Sequence, residues 1–226
     1  MAGSSYKGFL CLVLHAHLPY VRHPEHEYFL EENWLYESIT ETYIPLLDLF
    51  SRLIDDGTDF RITLSLSPAL IEMFNDPLLR ERYERHICGL IDLSEREVKR
   101  TKRDIHFGPV ARMYRKKFKR AYSLFHDLFR KDLVSVFRAV QKTGKVRILT
   151  SAATHAFLPN MAAYPTAVKA QVRIGSRQYR KNFGRSPEGI WLPECGFVPG
   201  FDRYISDEGI KYFFLDKIIC NLRRFY

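Results

Sequence analysis

The sequence predicts an α/β protein with a parallel sheet, because apolar runs alternate with amphipathic segments along its 226 residues. The hydrophobic content of 46% is enough to build a substantial core in one or two globular domains. Turn signals separate the runs at regular intervals. In a parallel α/β fold, ligands bind at the carboxyl ends of the strands, so polar residues at those ends are candidates for a functional site.

Five apolar runs are predicted to be strands. They read FLCLVLH, FRITLSL, VRILTSA, GIWLP and KYFFL, starting at positions 9, 60, 146, 189 and 211. The helical pattern SITETYIPLLDLFSRLIDDG follows the first strand, with Gly57 as its predicted end. A long polar and helical region at about 68–143 shows no clear repeat, and we interpret it as an insertion. A further helix through AVKAQVRIGSRQYRKNFG precedes the fourth strand.

The net charge of +9 is concentrated in one segment of the chain. Between Glu95 and Arg120, eleven basic residues stand against three acidic ones. Apolar side chains such as Phe118 and Tyr122 form a stripe beneath the later charges, as on the solvated face of a helix. No nucleic-acid-binding motif accompanies the segment, so we expect no nucleic-acid partner.

Cysteine usage and the amino-terminal residues indicate the compartment. The cysteines are scattered without a CxxC pair, which argues against a disulfide framework and a cysteine zinc site; they are Cys11, Cys88, Cys195 and Cys220. The apolar run from Phe9 to Leu14 is too short to span a membrane and lacks the features of a signal peptide. We expect reduced thiols, a cytoplasmic location and no membrane partner.

Polar residues follow four of the predicted strands. His15 and His17 come after the first strand, His155 after the third, Glu194 after the fourth and Asp216 after the fifth. A single histidine at a strand end is more often a structural residue than a catalytic one. Four such strand ends in one chain favour a shared rim, of the kind that a carbohydrate or a metal site requires.

Glu194 is the most unusual of these residues. The stretch GIWLPECGF places it between a proline and a Cys-Gly pair, directly after a predicted strand. Glutamate is depleted in strands, so a carboxylate at this point suggests that its charge is used.

Three motifs, HAHLPYVRHPE, TSAATHAFLP and GIWLPECGF, resemble in this order those of glycoside hydrolase family 57, particularly its 1,4-alpha-glucan branching enzyme group. The resemblance implies a distorted, parallel (β/α)7-type barrel and identifies Glu194 as the catalytic nucleophile. It extends from His15 to Asp216, whereas the family's enzymes are much longer. We therefore expect residues 1–226 to be the N-terminal part of a catalytic barrel that is incomplete at its C-terminus.

The chemistry of a retaining glycosidase gives the other residues roles. It requires two carboxyl groups roughly 5–5.5 Å apart, and Glu194 is the first of them. The histidines are expected to supply hydrogen bonds or positive charge and to hold sugar hydroxyls. Apolar platforms for a glucose ring are expected from Tyr20, Phe157 and Trp191, although Trp191 is interpreted equally well as a core residue.

The acid/base is expected beyond residue 226, because the family carries it as an aspartate on a later strand. Asp216 is interpreted as a substrate contact, since the tail DKIICNLRRFY departs from the Thr-His-Gly-like sequence of the family. No cofactor and no metal are expected. A parallel sheet that does not close leaves edge strands exposed. We therefore expect the chain alone to show no branching or hydrolysis of glucans and to be poorly soluble or associated.

Two alternatives stay open at this point. A metal-dependent polysaccharide deacetylase could use His15 and His17 together with an aspartate as ligands, although no early Asp-Asp pair accompanies a strand. A non-catalytic remnant would bind glucan through the same histidine and aromatic rim without turning it over. Metal content distinguishes the first alternative, and turnover distinguishes the second.

Overall fold

The structure is a computed structural model that describes residue 8 and residues 10–216 of the chain. Its sheet has five strands, which follow one another in chain order and pair in parallel throughout. They are β1 (Val13–Ala16), β2 (Ile62–Leu66), β3 (Val146–Ser151), β4 (Gly189–Trp191) and β5 (Tyr212–Phe213). The predicted parallel α/β architecture is therefore confirmed.

The register of the sheet aligns the strand ends. His15 on β1 lies opposite Ser65 on β2, and Ser151 on β3 lies opposite Trp191 on β4. Because the strands are parallel, these residues approach the same carboxyl-end rim of the sheet.

The connection from β1 to β2 is helical and ends where the sequence predicts. Helix α1 (Glu32–Ser38) continues through one π-helical turn, Ile39–Tyr43, into α2 (Ile44–Asp55). Gly57 follows with a φ of +68°, a conformation that glycine adopts without the steric cost of a side chain. The chain can then turn back towards the sheet.

Four helices occupy most of the region between β2 and β3. They are α3 (Pro68–Asn75), α4 (Pro77–Arg100), α5 (Phe107–Ser123) and α6 (Leu133–Lys142). Helices α4 and α5 pack on each other, whereas α6 packs on β3 and on α2. The interpretation of 68–143 as an insertion stays a prediction.

Two apolar clusters form the core. The larger includes Tyr83 and Phe137 and lies among β2, β3, the helices that precede β3 and the C-terminal part of the helix that follows it. The smaller surrounds Ile190 on β4 and is covered by α7 (Pro165–Phe183) and α8 (Phe201–Ser206). Helix α7 comes so close to β3 that a Cβ atom on Gly175 would lie 2.2 Å from the carbonyl oxygen of Ser151.

The basic segment pairs repeatedly with carboxylates. Lys119 lies 2.5 Å from Glu95, and Arg120 lies 2.7 Å from Asp48, which belongs to α2. Exposed pairs of this kind contribute little to stability, but they neutralise part of the local charge. The segment has the ion-paired surface expected of a solvated helix.

Cys11, Cys88 and Cys195 are free thiols, while Cys220 lies outside the described residues. In the part of the chain that the structure describes, no helix combines the length and the apolar character needed to cross a membrane.

Candidate active site

Three histidines from two strand ends gather on the rim. The rings of His17 and His155 are stacked, with centroids 3.5 Å apart, and the ring of His15 lies 5.0 Å from that of His155. Trp191, at the end of β4, stacks on His15 at 4.5 Å. The sequence predicted that these strand ends would converge, and the structure brings them together.

Two buried serines hold the histidines of β1. Nδ1 of His15 lies 2.5 Å from Oγ of Ser65, and Nδ1 of His17 lies 3.2 Å from Oγ of Ser67. Both serines are fully buried. Sequence reasoning missed them, although the alternation of serine and leucine at the end of β2 is a usable signal. It places small polar side chains on one face of the strand and apolar ones on the other.

The histidines are uncharged at neutral pH. Burial, and after it the proximity of a neighbouring imidazole, lowers the pKa of His15, His17 and His155 to about 4. The cluster therefore offers neutral imidazoles, which act as hydrogen-bond donors and acceptors. Of the two roles expected from the sequence, hydrogen bonding fits this arrangement and positive charge does not.

Glu194 sits in a strained turn directly after β4. Glu194 and Cys195 have φ angles of +52° and +53°, in the left-handed region that side chains disfavour. The turn is closed by main-chain hydrogen bonds from Cys195 to Leu192 at 2.8 Å and from Gly196 to Pro193 at 3.0 Å. The side chain of Glu194 is exposed. Strain of this kind is concentrated at functional sites.

Close packing explains why the ECG motif has a glycine at position 196. A Cβ atom at this position would lie 2.4 Å from the ring of Phe157 and 2.9 Å from Cδ of Pro159. Glycine therefore allows the loop that follows β3 to pack against the turn that carries Glu194. Phe157 itself remains 40% exposed, so part of its ring is accessible as the predicted platform.

A second carboxylate comes close to this turn. Besides burial, the charges of Asp216 and then of Glu194 raise the pKa of the Cys195 thiol, so both carboxylates lie near it. Asp216 is exposed and follows β5. Tyr20 is 56% exposed, and within the described residues its ring makes no stacking contact with the histidines. The substrate-binding roles of these residues stay predictions.

Within residues 10–216, no cluster of three or more His, Cys, Asp or Glu side chains is arranged to hold a metal ion. A groove of about 660 Å³ lies elsewhere, between α4 and the segment that follows β1, with Tyr28, Tyr36 and Arg82 among its lining residues. The histidine cluster does not line it. The candidate active site is therefore the open rim at the strand ends.

A parallel sheet that presents a strained, accessible carboxylate beside polar and aromatic side chains at its carboxyl rim defines an α/β enzyme fold. Comparison with known proteins gives the family. Residues 11–224 match the model of glycosyl hydrolase family 57. The chain therefore belongs to that family.

Similar proteins come from archaea and bacteria. The chain is 35% identical, over 93% of its length, to a 1,4-alpha-glucan branching enzyme of Thermococcus kodakarensis. It superposes on the alpha-amylase AmyC of Thermotoga maritima with a TM-score of 0.86 and 45% identity, covering 91% of this chain and 39% of that one. A family 57 branching enzyme of Pyrococcus horikoshii gives a TM-score of 0.85 at 32% identity, covering 92% and 42%.

The chain spans 33% of the length of the Thermococcus enzyme. It likewise spans 43% of the length of a probable 1,4-alpha-glucan branching enzyme of Mycobacterium tuberculosis, to which it is 25% identical.

Proposed function

We propose that the protein acts on α-glucans by a retaining double displacement, with Glu194 as the nucleophile. The observation that carries the proposal is the placement of Glu194. An exposed carboxylate is held in a strained turn at the carboxyl end of β4, and Trp191 of the same strand stacks on the histidine cluster. The family match and the names of the relatives support α-glucan as the substrate.

In the first step a carboxylate oxygen of Glu194 attacks the anomeric carbon of a glucose unit. The bond from that carbon to the bridging oxygen breaks, and the departing glucan takes a proton from a general acid. We expect this acid to be a carboxyl group other than Asp216. In the second step an acceptor hydroxyl attacks the same carbon, gives its proton to the conjugate base and releases Glu194. Two inversions leave the configuration unchanged.

The histidine rim binds and orients the sugar in this mechanism. Neutral imidazoles donate and accept hydrogen bonds with hydroxyl groups without placing a cation beside the nucleophile. Trp191 provides an apolar face next to His15, and Phe157 and Tyr20 extend the apolar surface. Asp216 contributes a further hydrogen-bond acceptor for the substrate. No metal is required by any of these roles.

The acceptor decides between two activities. Transfer to the 6-hydroxyl of a second glucan chain gives a branch, which is our preferred activity because the curated relatives are branching enzymes or probable ones. Hydrolysis is the second candidate, because the solved alpha-amylase from Thermotoga maritima shares 45% identity with the chain.

Release of fluoride from an α-maltotriosyl fluoride tests the nucleophile independently of the general acid, because fluoride departs without a proton. The wild-type protein is expected to release fluoride, and Glu194→Gln to release it about 10⁴-fold more slowly. Glu81→Gln, which changes an exposed carboxylate on α4, is the matched control and is expected to match the wild type.

If Glu194→Gln released fluoride as fast as the wild type, Glu194 would not be the nucleophile. If the wild-type protein bound α-maltotriosyl fluoride but released no fluoride, the non-catalytic glucan-binding alternative would be favoured. When a maltooligosaccharide acceptor is added, new α-1,6 linkages identify branching, whereas free maltotriose identifies hydrolysis.

A further inference from the structure

Each histidine at the end of β1 faces a serine on the neighbouring strand. His15 and Ser65 are directly paired in the register of β1 and β2. The main-chain N–H of Ser67 donates to the carbonyl of Ala16 at 3.0 Å, which continues the same register by two residues and brings Ser67 beside His17. The two contacts therefore repeat one arrangement along the pair of strands.

The direction of the Ser67 contact follows from its role at the start of α3. Its Oγ accepts a hydrogen bond from the N–H of Leu70 at 3.3 Å, as an N-cap residue does. Ser67 is fully buried, so its single hydroxyl hydrogen needs an acceptor, and among the described residues Nδ1 of His17, at 3.2 Å, is the atom that can accept it. Since Nδ1 then accepts, the neutral ring of His17 carries its proton on Nε2.

The contact of Ser65 has the same direction. Ser65 is fully buried, and among the described residues its Oγ has a hydrogen-bond contact with Nδ1 of His15. The hydroxyl hydrogen therefore donates to Nδ1, and the neutral ring of His15 carries its proton on Nε2. Nε2 of His155 lies 3.0 Å from Nε2 of His15, so His15 donates and His155 accepts, which leaves the proton of His155 on Nδ1.

We propose that Ser65 and Ser67 are positioning residues that fix His15 and His17 as Nε2–H tautomers, so that the protons of both rings point away from β2. The Nε2–H of His15 is then used to hold His155. Among the residues that the structure describes, Nε2 of His17 has no hydrogen-bond partner, so its N–H is available to donate to an oxygen of the ligand. That this ligand is a sugar rests on the proposed function.

Histidine tautomers are read directly by long-range ¹H–¹⁵N correlation on the ¹⁵N-histidine-labelled protein at pH 7, with single histidine substitutions to assign the rings. His15 and His17 are expected to show a protonated Nε2, and His155 a protonated Nδ1. A protonated Nδ1 on His17 or on His15 in the wild type would overturn the proposal, whether or not any variant folds.

Serine substitutions test whether the two hydroxyl groups determine the histidine tautomers. Ser65→Ala and Ser67→Ala are expected to convert the facing histidine to a mixture of tautomers, and threonine at either position to restore the single form, because threonine keeps the hydroxyl. Ser176→Ala is the matched control, since Ser176 is fully buried and its Oγ has no partner among the described residues. Unchanged tautomers in both alanine variants would overturn the role of the serines.

Fluoride release separates this inference from the proposed function. About a tenfold rise in KM for α-maltotriosyl fluoride is expected in Ser67→Ala, with recovery in Ser67→Thr and no change in Ser176→Ala. If the tautomers are as proposed but Glu194→Gln turns over normally, the proposed function fails and the positioning role stands. If Glu194→Gln is inactive but the wild-type tautomers differ, the positioning role fails alone.

Discussion

At the scale of single residues, the uncharged state of the histidines decides what the rim can bind. Three imidazoles lie in mutual contact, and the positive charge of any one would disfavour a charge on its neighbours. With both Nδ1 atoms of the β1 histidines directed at serines, the cluster presents hydrogen bonds of defined direction. Such a surface suits hydroxyl groups, which both donate and accept.

The histidine cluster predicts a loss of stability at mildly acidic pH. In the folded protein the pKa of each of the three rings is about 4, whereas the ordinary value is 6.5. Between these values the unfolded chain binds more protons, so the free energy of unfolding falls as the pH falls from 6.5 towards 4. Urea unfolding at a series of pH values measures this slope.

His155→Asn is expected to make that slope shallower, and asparagine tolerates the φ of +56° at this position. His106→Asn, at an exposed residue just before α5, is the control and is expected to keep the wild-type slope. Equal slopes for both variants and the wild type would show that the cluster does not control the acid sensitivity.

At the scale of elements, the turn after β4 stores conformational strain at Glu194, the proposed nucleophile. Two consecutive residues with side chains, Glu194 and Cys195, hold left-handed conformations, and His155 does so in the loop after β3. Arg130 and Lys131, just before α6, are the other described non-glycine residues with such φ angles. Each such residue costs on the order of 1–3 kcal/mol and is retained only because the surrounding structure fixes it. The packing of Phe157 over Gly196 is part of that surrounding structure.

Glycine and alanine at position 194 measure the strain. Glu194→Gly is expected to be more stable than Glu194→Ala by about 1 kcal/mol, because glycine adopts the left-handed conformation freely. At the exposed helical position Glu81 the order should reverse, with glycine about 1 kcal/mol less stable than alanine. Urea unfolding of the four variants gives both differences. The same order at both positions would contradict the strained turn.

The elements were largely predictable from the sequence because each strand is an apolar run bounded by turn residues. Gly57 and the five strand runs correspond to the observed boundaries within a few residues, although β1 is limited to Val13–Ala16. The π-helical turns at Ile39–Tyr43 and Leu124–Leu128 were not predicted, since they arise from the hydrogen-bonding of the folded helices. The rest of the fold depends on tertiary packing.

The convergence of the strand ends was predictable from the sequence, but the hydrogen bonds between them were not. Strand-end positions were enough to bring together His15, His155 and Trp191. The bonds to Ser65 and Ser67 required the register of β1 against β2, which a single sequence does not specify. The left-handed turn at Glu194 was likewise hidden, because glutamate carries no intrinsic preference for that conformation.

At the scale of the whole molecule, the sheet is open among the described residues, with β1 and β5 at its two edges. Leu12 and Leu14, which alternate along the β1 edge, are 54% and 39% exposed. Exposed apolar edges favour association with a further strand. The site lies on the rim of this sheet and contains a nucleophile candidate, its apolar neighbours and a set of directional hydrogen bonds.

In the proposed mechanism Glu194 forms the covalent bond to the sugar. Its most direct test is to incubate the protein with 5-fluoro-α-D-glucosyl fluoride, which forms long-lived glycosyl intermediates, and to locate the adduct by mass spectrometry of peptides. If Glu194 is the nucleophile, one added sugar is expected on Glu194 in the wild type and in Glu81→Gln, and none in Glu194→Gln. An adduct on a different carboxylate, or one that persists in Glu194→Gln, would show that Glu194 is not the nucleophile.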